Sequence, residues 1–293
     1  MSGAARLKVA VAQIASEVGD LEANVKKHLE LIADARARGV DVLLFPEVSL
    51  TGHSAAPETL RLARRRHDPL LMELAAASGE MCSIFGFIEE GPAAQFHNTA
   101  MAVRDGEIAF LHHKINIPTY GLLEEGKHYA AGRYIDTFLI DDPWRGTILI
   151  CADVWNPALV HLAAVHGVTA LFVPISSAIE AVGAEFDNPG GWDLALRFHA
   201  MMYGMPVVMA NRVGKEGDLT FWGGSCVIDP FGKILARAGT DSEGMVTAEL
   251  DYERVRKARY LLPTVCDSNL GLIVREAERL LGSVGVPASV RRN

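Results

Sequence analysis

The chain has 293 residues, 49% hydrophobic and 22% charged, an ordinary globular composition with ample apolar material for a large core. Its 28 Lys and Arg against 36 Asp and Glu leave a net charge of −8, which disfavours nucleic acid and anionic membrane as partners. No stretch reaches the roughly 18 uninterrupted apolar residues of a membrane span, and residues 1–8 lack a signal peptide's apolar centre, so a cytoplasmic protein is expected.

Residues 8–14 (KVAVAQI) read as a buried strand. Residues 20–38 follow as a helix, with Leu21, Val25, Leu29, Ile32 and Ala33 at helical spacing, Asp20 as N-cap and Gly39 as stop. A short apolar run over 40–45, cut off by Pro46, completes a β-α-β opening. One helix is expected over 57–77, with the arginine-rich run 61–66 as its solvated face. Strands at 82–89, 98–104 and 107–112 follow, the last two joined by the Asp105-Gly106 turn, and this stretch looks antiparallel.

Strands at 146–151, 169–174 and 206–211 then alternate with helices at 157–166 and 191–203. Pro230-Phe231-Gly232 turns a hairpin between 222–229 and 233–238, a last strand is expected at 245–249, and helical pattern resumes at 251–258 and 272–281. Parallel crossovers mixed with antiparallel hairpins imply a mixed sheet or two sheets with helices outside. No G-x-G-x-x-G or Walker A segment is present, so a dinucleotide or ATP site has no support.

Functional side chains of α/β proteins tend to project from the carboxyl ends of strands. Glu47 follows VDVLLFP, Lys114 follows IAFLHH, and Cys151 closes TILI. A free thiol with pKa near ~8.5 needs a base or a cation to deliver thiolate. Glu47 can take the thiol proton, Lys114 can favour thiolate and hold an oxyanion, and the Ala152 backbone N–H can be a second oxyanion donor. Taken singly, each has a plain alternative: a capping Glu, a surface Lys, a packing Cys. The other cysteines, Cys82, Cys226 and Cys266, stand far apart with no C-x-x-C pair, which argues against a zinc site or a disulfide framework.

Together, LLFPEVSLTGH, HHKINIPTYGLLEEGKHYAAG and ILICADVWNP resemble the three signature segments of the nitrilase (carbon–nitrogen hydrolase) superfamily, in that family's chain order. PVVMANRVG and FWGGSCVIDPFGKILARAG look like its later core strands. The resemblance implies an α/β fold, a four-layer α-β-β-α sandwich that commonly pairs through its helical face, and a Glu-Lys-Cys triad at Glu47, Lys114 and Cys151. A second glutamate falls on the Glu124-Glu125 pair. Glu125 is preferred on its neighbours Gly126-Lys127-His128-Tyr129, with Glu124 read as a solvated turn residue.

True nitrilases carry Trp-Glu after the nucleophile, and here Ala152-Asp153-Val154-Trp155 follows. The segment looks more like the glutamine-amidase domains attached to NAD synthetases, and like related stand-alone amidases. Ala152 stands where that branch has a glutamate, so glutamine specificity is not carried over. The expectation is a stand-alone amidase that cleaves a non-peptide amide through a cysteine thioester. Nitrile hydrolysis and acyl transfer to an amine are the alternatives.

Tyr120, Trp155, Ser176, Ser177 and Trp192 are candidate pocket residues. Arg197 and Asn211 are expected to be structural, and Phe221-Trp222-Gly223-Gly224 is expected to pack nearby. No metal or organic cofactor is implied, since the adjacent His112 and His113 should face opposite ways. The expected partners are a small amide substrate and a second copy of the chain as a homodimer or higher homo-oligomer. The expected organisation is one hydrolase domain over 1–250 and a C-terminal helical arm over 251–293, within that domain or at its dimer interface.

Overall fold

Alternation along single strands decides the layering. In β1 (Arg6–Gln13), Val9 and Val11 point into one buried cluster and Ala10 and Ala12 into another, so both faces of the strand are covered. The computed structural model describes residues 5–183 and 185–282. After β1 come α1 (Leu21–Ala37), β2 (Val42–Leu44), α2 (Thr59–Leu62), α3 (Pro69–Ser78), β3 (Cys82–Glu90), β4 (Phe96–Arg104) and β5 (Glu107–His113). The second half runs β6 (Phe138–Asp141), β7 (Trp144–Ile148), α4 (Pro157–Val165), β8 (Ala170–Pro174), α5 (Asn188–Tyr203) and β9 (Val207–Ala210). It continues through β10 (Val213–Glu216), β11 (Leu219–Trp222), β12 (Cys226–Ile228), β13 (Ile234–Arg237), β14 (Gly244–Asp251), α6 (Tyr252–Leu261) and α7 (Leu270–Gly282).

One six-stranded sheet has the order β14-β1-β2-β3-β4-β5 and the other β13-β12-β9-β8-β7-β6, while β10 and β11 form a separate hairpin. Pairing is parallel for β1–β2, β2–β3, β7–β8 and β8–β9, and antiparallel elsewhere in the two sheets. Val9, Val42 and Ile84 of the first sheet share a cluster with Ile148, Phe172 and Val208 of the second, so the sheets pack face to face. The outer face of the first sheet is covered by α1 and α3, and that of the second by α4 and α5. The result is the expected α-β-β-α sandwich, a mixed α/β fold.

Several expectations need correction. The single helix over 57–77 is broken: α2 ends at Leu62, Arg64 pairs with Glu89 beside β3, and Asp68 caps α3, whose first residue is Pro69. The arginine run is therefore an extended link tied to the sheet edge, with Arg66 on Glu89 and Arg65 on Glu90, and is no helix face. The strand over 222–229 is split because Gly223 and Gly224 adopt φ +59° and +65°, leaving Trp222 to end β11. The strand over 146–151 stops at Ile148, and β6 and β10 were not anticipated. On α1, Ala33 faces solvent while His28 and Ala35 are buried. The arm expected over 251–293 contains α6 and α7 as far as residue 282, and 283–293 lie outside the described residues. Among the described residues no helix is long and apolar enough to cross a membrane.

Two packing details fix the segment after β2. The His28 ring stacks on Phe45 at 4.1 Å and meets the Ser49 hydroxyl at 2.9 Å, and burial pulls its pKa down to about 4, so it serves as a neutral core group. Ser49 Oγ in turn accepts the Gly86 N–H at 3.2 Å. Gly86 lies so close that a Cβ there would stand 2.3 Å from the Val48 nitrogen. Gly86→Ala is therefore expected to destabilise the fold by about 1–3 kcal/mol through overpacking. Chemical denaturation measures this, and an unchanged midpoint would count against the packing described.

Candidate active site

Three strand ends meet at one edge of the sandwich. Glu47 follows β2 through Phe45-Pro46, Lys114 directly follows β5, and Cys151 stands three residues beyond β7 at the head of a single 3-10 turn, Cys151–Asp153. The first two come from one sheet and the third from the other. The Glu47 N–H reaches the Ile175 carbonyl at 3.3 Å, joining the sheets at this point. Cys151 has φ +45° and Val48 φ +43°, left-handed values that non-glycine residues adopt at a cost of about 1–3 kcal/mol. Such strained backbone persists where surrounding bonds hold it.

Lys114 is fully buried and its ammonium is shared by two carboxylates. Nζ donates to Glu47 Oε1 at 2.6 Å and to Glu125 Oε1 and Oε2 at 2.7 and 2.9 Å. Glu47 Oε1 also accepts from Asn98 Nδ2 at 2.8 Å, while its other oxygen, Oε2, is buried with no hydrogen-bond partner of ordinary geometry among the described residues. Glu124 turns outward and pairs with Lys127 at 2.6 Å, so the geometry joins Glu125, not Glu124, to the lysine.

The charges order themselves accordingly. Burial disfavours ionised Glu47, yet the Lys114 charge and hydrogen bond outweigh it, with smaller help from His53 and the Cys151 thiol, and hold the carboxyl below its ordinary range. Burial also opposes the Lys114 charge, but Glu125 and Glu47 together keep the ammonium well above its usual pKa. Glu125 is pushed up to about 7 by burial, with the Glu47 charge adding to that and Lys114 opposing it. Burial and then Glu47 raise the Cys151 thiol well above its ordinary value, against the pull of Lys114. The resting arrangement is a neutral thiol beside an ionised carboxylate. Lys114 does pull the thiol towards thiolate, but burial and the Glu47 charge outweigh it.

Asp153 links the lysine and cysteine segments. Its Oδ1 accepts the N–H groups of Ile115 and Asn116 at 2.9 and 2.7 Å, and its Oδ2 accepts that of Ile150 at 3.0 Å and lies 3.0 Å from His112 Nε2. Sequence reasoning used Asp153 only as a branch marker, and passed over Asn98 and His53. Asp153, two residues after a candidate nucleophile and fully buried, carried the signal of a polar group that must have partners. Asn98 sits in an unremarkable strand start and gave none. His53 is held by its loop, whose His53 and Ser54 N–H groups donate to Glu216 at 3.3 and 2.6 Å, with Glu216 itself paired to buried Arg212.

All five candidate pocket residues, Tyr120, Trp155, Ser176, Ser177 and Trp192, line one cavity with Cys151 and Ala152. Asn211 lies behind it, accepting the Ser177 N–H at 3.0 Å and donating to the Gly223 carbonyl at 3.1 Å. Arg197 bonds the Gly232 carbonyl at 3.0 Å, on α5. Phe221 packs against His53 at 5.3 Å, one layer behind the cavity wall. His112 and His113 do face opposite ways, towards Asp153 and Glu89. Among the described residues no three His, Cys, Asp or Glu side chains stand together as a metal-binding group.

The model of the carbon-nitrogen hydrolase family matches residues 8–260. A glutamine-dependent NAD(+) synthetase of Thermotoga maritima is 31% identical over 253 residues, 85% of this chain and 42% of that protein. This chain thus spans less than half of that relative. An (R)-stereoselective amidase of a Pseudomonas species is 29% identical over 259 residues, 86% of this chain and 88% of that protein. Among solved structures, a carbon-nitrogen hydrolase of Helicobacter pylori G27 superposes with a TM-score of 0.82 at 23% identity, over 91% of this chain and 96% of that one. With a family model covering this chain from β1 into α6, and the same sandwich in solved members, the chain belongs to the carbon–nitrogen hydrolase family.

Proposed function

We propose that this amidase of the nitrilase superfamily hydrolyses an amide through a thioester on Cys151, with Glu47 as general base and acid. As Cys151 Sγ attacks the carbonyl carbon, its proton passes to Glu47 and the carbonyl π pair moves onto oxygen. That oxyanion is held by Lys114 Nζ and the Ala152 backbone N–H. The three donors of Lys114 rest on three carboxylate oxygens, and giving up one of the two Glu125 contacts frees a donor for the oxyanion.

When the intermediate collapses, the carbon–nitrogen bond breaks and the leaving nitrogen takes the proton from Glu47, so ammonia or an amine departs. Water then gives its proton to Glu47 and attacks the thioester carbon. The acid is released and the sulfur is reprotonated, returning the neutral resting thiol. Glu125 holds Lys114 in place throughout.

The observation that carries this reading is the asymmetry of Glu47. One oxygen is pinned by Lys114 and Asn98, while the other is buried, has no hydrogen bond of ordinary geometry among the described residues, and belongs to a carboxylate already ionised at rest. A base so arranged can accept a proton without first losing one. The relatives' names include a glutamine-dependent synthetase and N-carbamoylputrescine amidases, whose shared chemistry is attack at an amide-like carbonyl and not a common acyl group. For assembly we propose pairing through the outer helical face, where α5 exposes Leu194, Phe198 and Met201.

Cys151→Ala is expected to abolish ammonia release from primary amides with an unchanged circular dichroism spectrum, and turnover retained in this variant would remove Cys151 from the mechanism. Glu47→Gln should lower kcat by roughly 10²–10⁴. Asp153→Asn puts an N–H₂ group where only acceptors serve, and should cost about 1–3 kcal/mol of local order. Its expected kinetic signature is a fall in kcat larger than any rise in KM, and a change confined to KM would contradict a role in setting Lys114 against Cys151.

A further inference from the structure

The wall around Cys151 is aromatic on the side away from the Glu47-Lys114-Glu125 cluster, which lies towards an adjoining cavity of about 240 Å³ lined by Glu47, Glu124 and Glu125. The inner cavity has a volume of about 30 Å³. Trp155 and Trp192 meet edge to face at 4.9 Å, and Phe186 flanks Trp155 at 5.9 Å. Trp192 is fixed by its Nε1–H, which donates to Ser177 Oγ at 3.0 Å. Trp155, Tyr120 and Ala152 also border an outer cavity of about 500 Å³, whose other polar side chains are the neutral Asn116, Thr119 and Asn156.

No Lys or Arg lines either cavity among the described residues, and the carboxyl that does, Glu125, is already held by Lys114. His53 reaches the inner wall, where burial, opposed by Glu47 and Glu216, keeps its pKa below the usual value. One polar group is left over. Ser176 is 3% exposed, its hydroxyl has no partner among the described residues, and it lines the same cavity as Cys151. A substrate meets here a tight apolar wall and one uncompensated neutral hydroxyl.

We propose that the site takes uncharged primary amides with a short apolar acyl group, and that the Ser176 hydroxyl hydrogen-bonds the amide while the acyl chain rests on Trp155 towards the outer cavity. This rests on the reading of Cys151 as the nucleophile. A substrate carboxylate would be desolvated with no free cation lining either cavity to meet it, and a substrate ammonium would find only Glu47 and Glu125, both already bound to Lys114. Aromatic rings attract cations as well as apolar groups, but the carboxylates at the site are already engaged by Lys114. Amides with an ionised group on a short acyl chain, glutamine among them, are rejected.

The test compares kcat/KM for ammonia release by the full-length enzyme on butyramide, 4-aminobutyramide, succinamate and glutamine, which carry none, a positive, a negative and both charges. Butyramide is expected to exceed each charged amide by about 10²-fold or more. A charged amide within tenfold of butyramide, while acylating Cys151 by intact mass, overturns the substrate proposal and leaves the nucleophile reading standing. Butyramide turnover that persists in Cys151→Ala overturns the nucleophile reading and this proposal with it. Ser176→Ala should lower kcat/KM for butyramide roughly 3–10-fold, mainly through KM, with Ser176→Thr restoring it. Unchanged kinetics in Ser176→Ala would remove the hydroxyl from recognition.

Discussion

An ammonium group with no exposure to water must be matched by negative charge, and the arrangement around Lys114 follows from that requirement. Two carboxylates answer it, Glu47 from the end of β2 and Glu125 from the loop beyond β5. Two carboxylates around one cation leave one negative charge in excess, and Glu125 takes up the difference by titrating near neutrality. Glu47, with Asn98 as an added donor, stays ionised. The cation thus sets which carboxyl is ionised and, in the proposed mechanism, which one serves as the base.

The same charges act on the thiol. A cysteine beside a lysine is commonly read as a thiolate, but here burial and the Glu47 charge outweigh Lys114 and leave Cys151 protonated at rest. In the proposed mechanism, proton removal is then part of the attack on substrate. That places a demand on geometry, because proton acceptor, sulfur and carbonyl carbon have to be aligned at once. Asp153 meets it by binding N–H groups on both sides of the site, and the left-handed φ at Cys151 turns the side chain out of the strand direction.

What could be read from sequence was the part written in local pattern. Strands β1, β2, β7, β8 and β9 lie in short apolar runs of sequence, with Glu47 and Cys151 just beyond two of these runs and Lys114 directly after the antiparallel β5. The cap of α1 by Asp20 and the turn at Asp105-Gly106 depend on neighbouring residues alone. The break at 63–68 was not visible, because the partner that draws Arg64 out of helix is Glu89, 25 residues away. β10 and β11 pair with each other across Gly217-Asp218, but the residues VGKE of β10 carry no apolar strand pattern, and the turn at Gly223-Gly224 was masked by the apolar residues before it. In the site, the roles of Asn98 and His53 depend wholly on contacts from distant segments, and Glu125 was told from Glu124 by motif likeness. The direction of the thiol's shift needed the burial of the whole cluster.

The most direct test of this account is to follow the buried carboxyl groups by infrared difference spectroscopy through neutral pH in the intact enzyme, with Glu125→Gln and Glu47→Gln measured alongside. The account predicts one carboxyl that ionises near pH 7, absent in Glu125→Gln and moved to lower pH in Glu47→Gln, where the neighbouring negative charge is gone. A neutral-range carboxyl signal that survives in Glu125→Gln and disappears in Glu47→Gln would contradict it, since Glu47 would then be protonated at rest and unable to serve as the base.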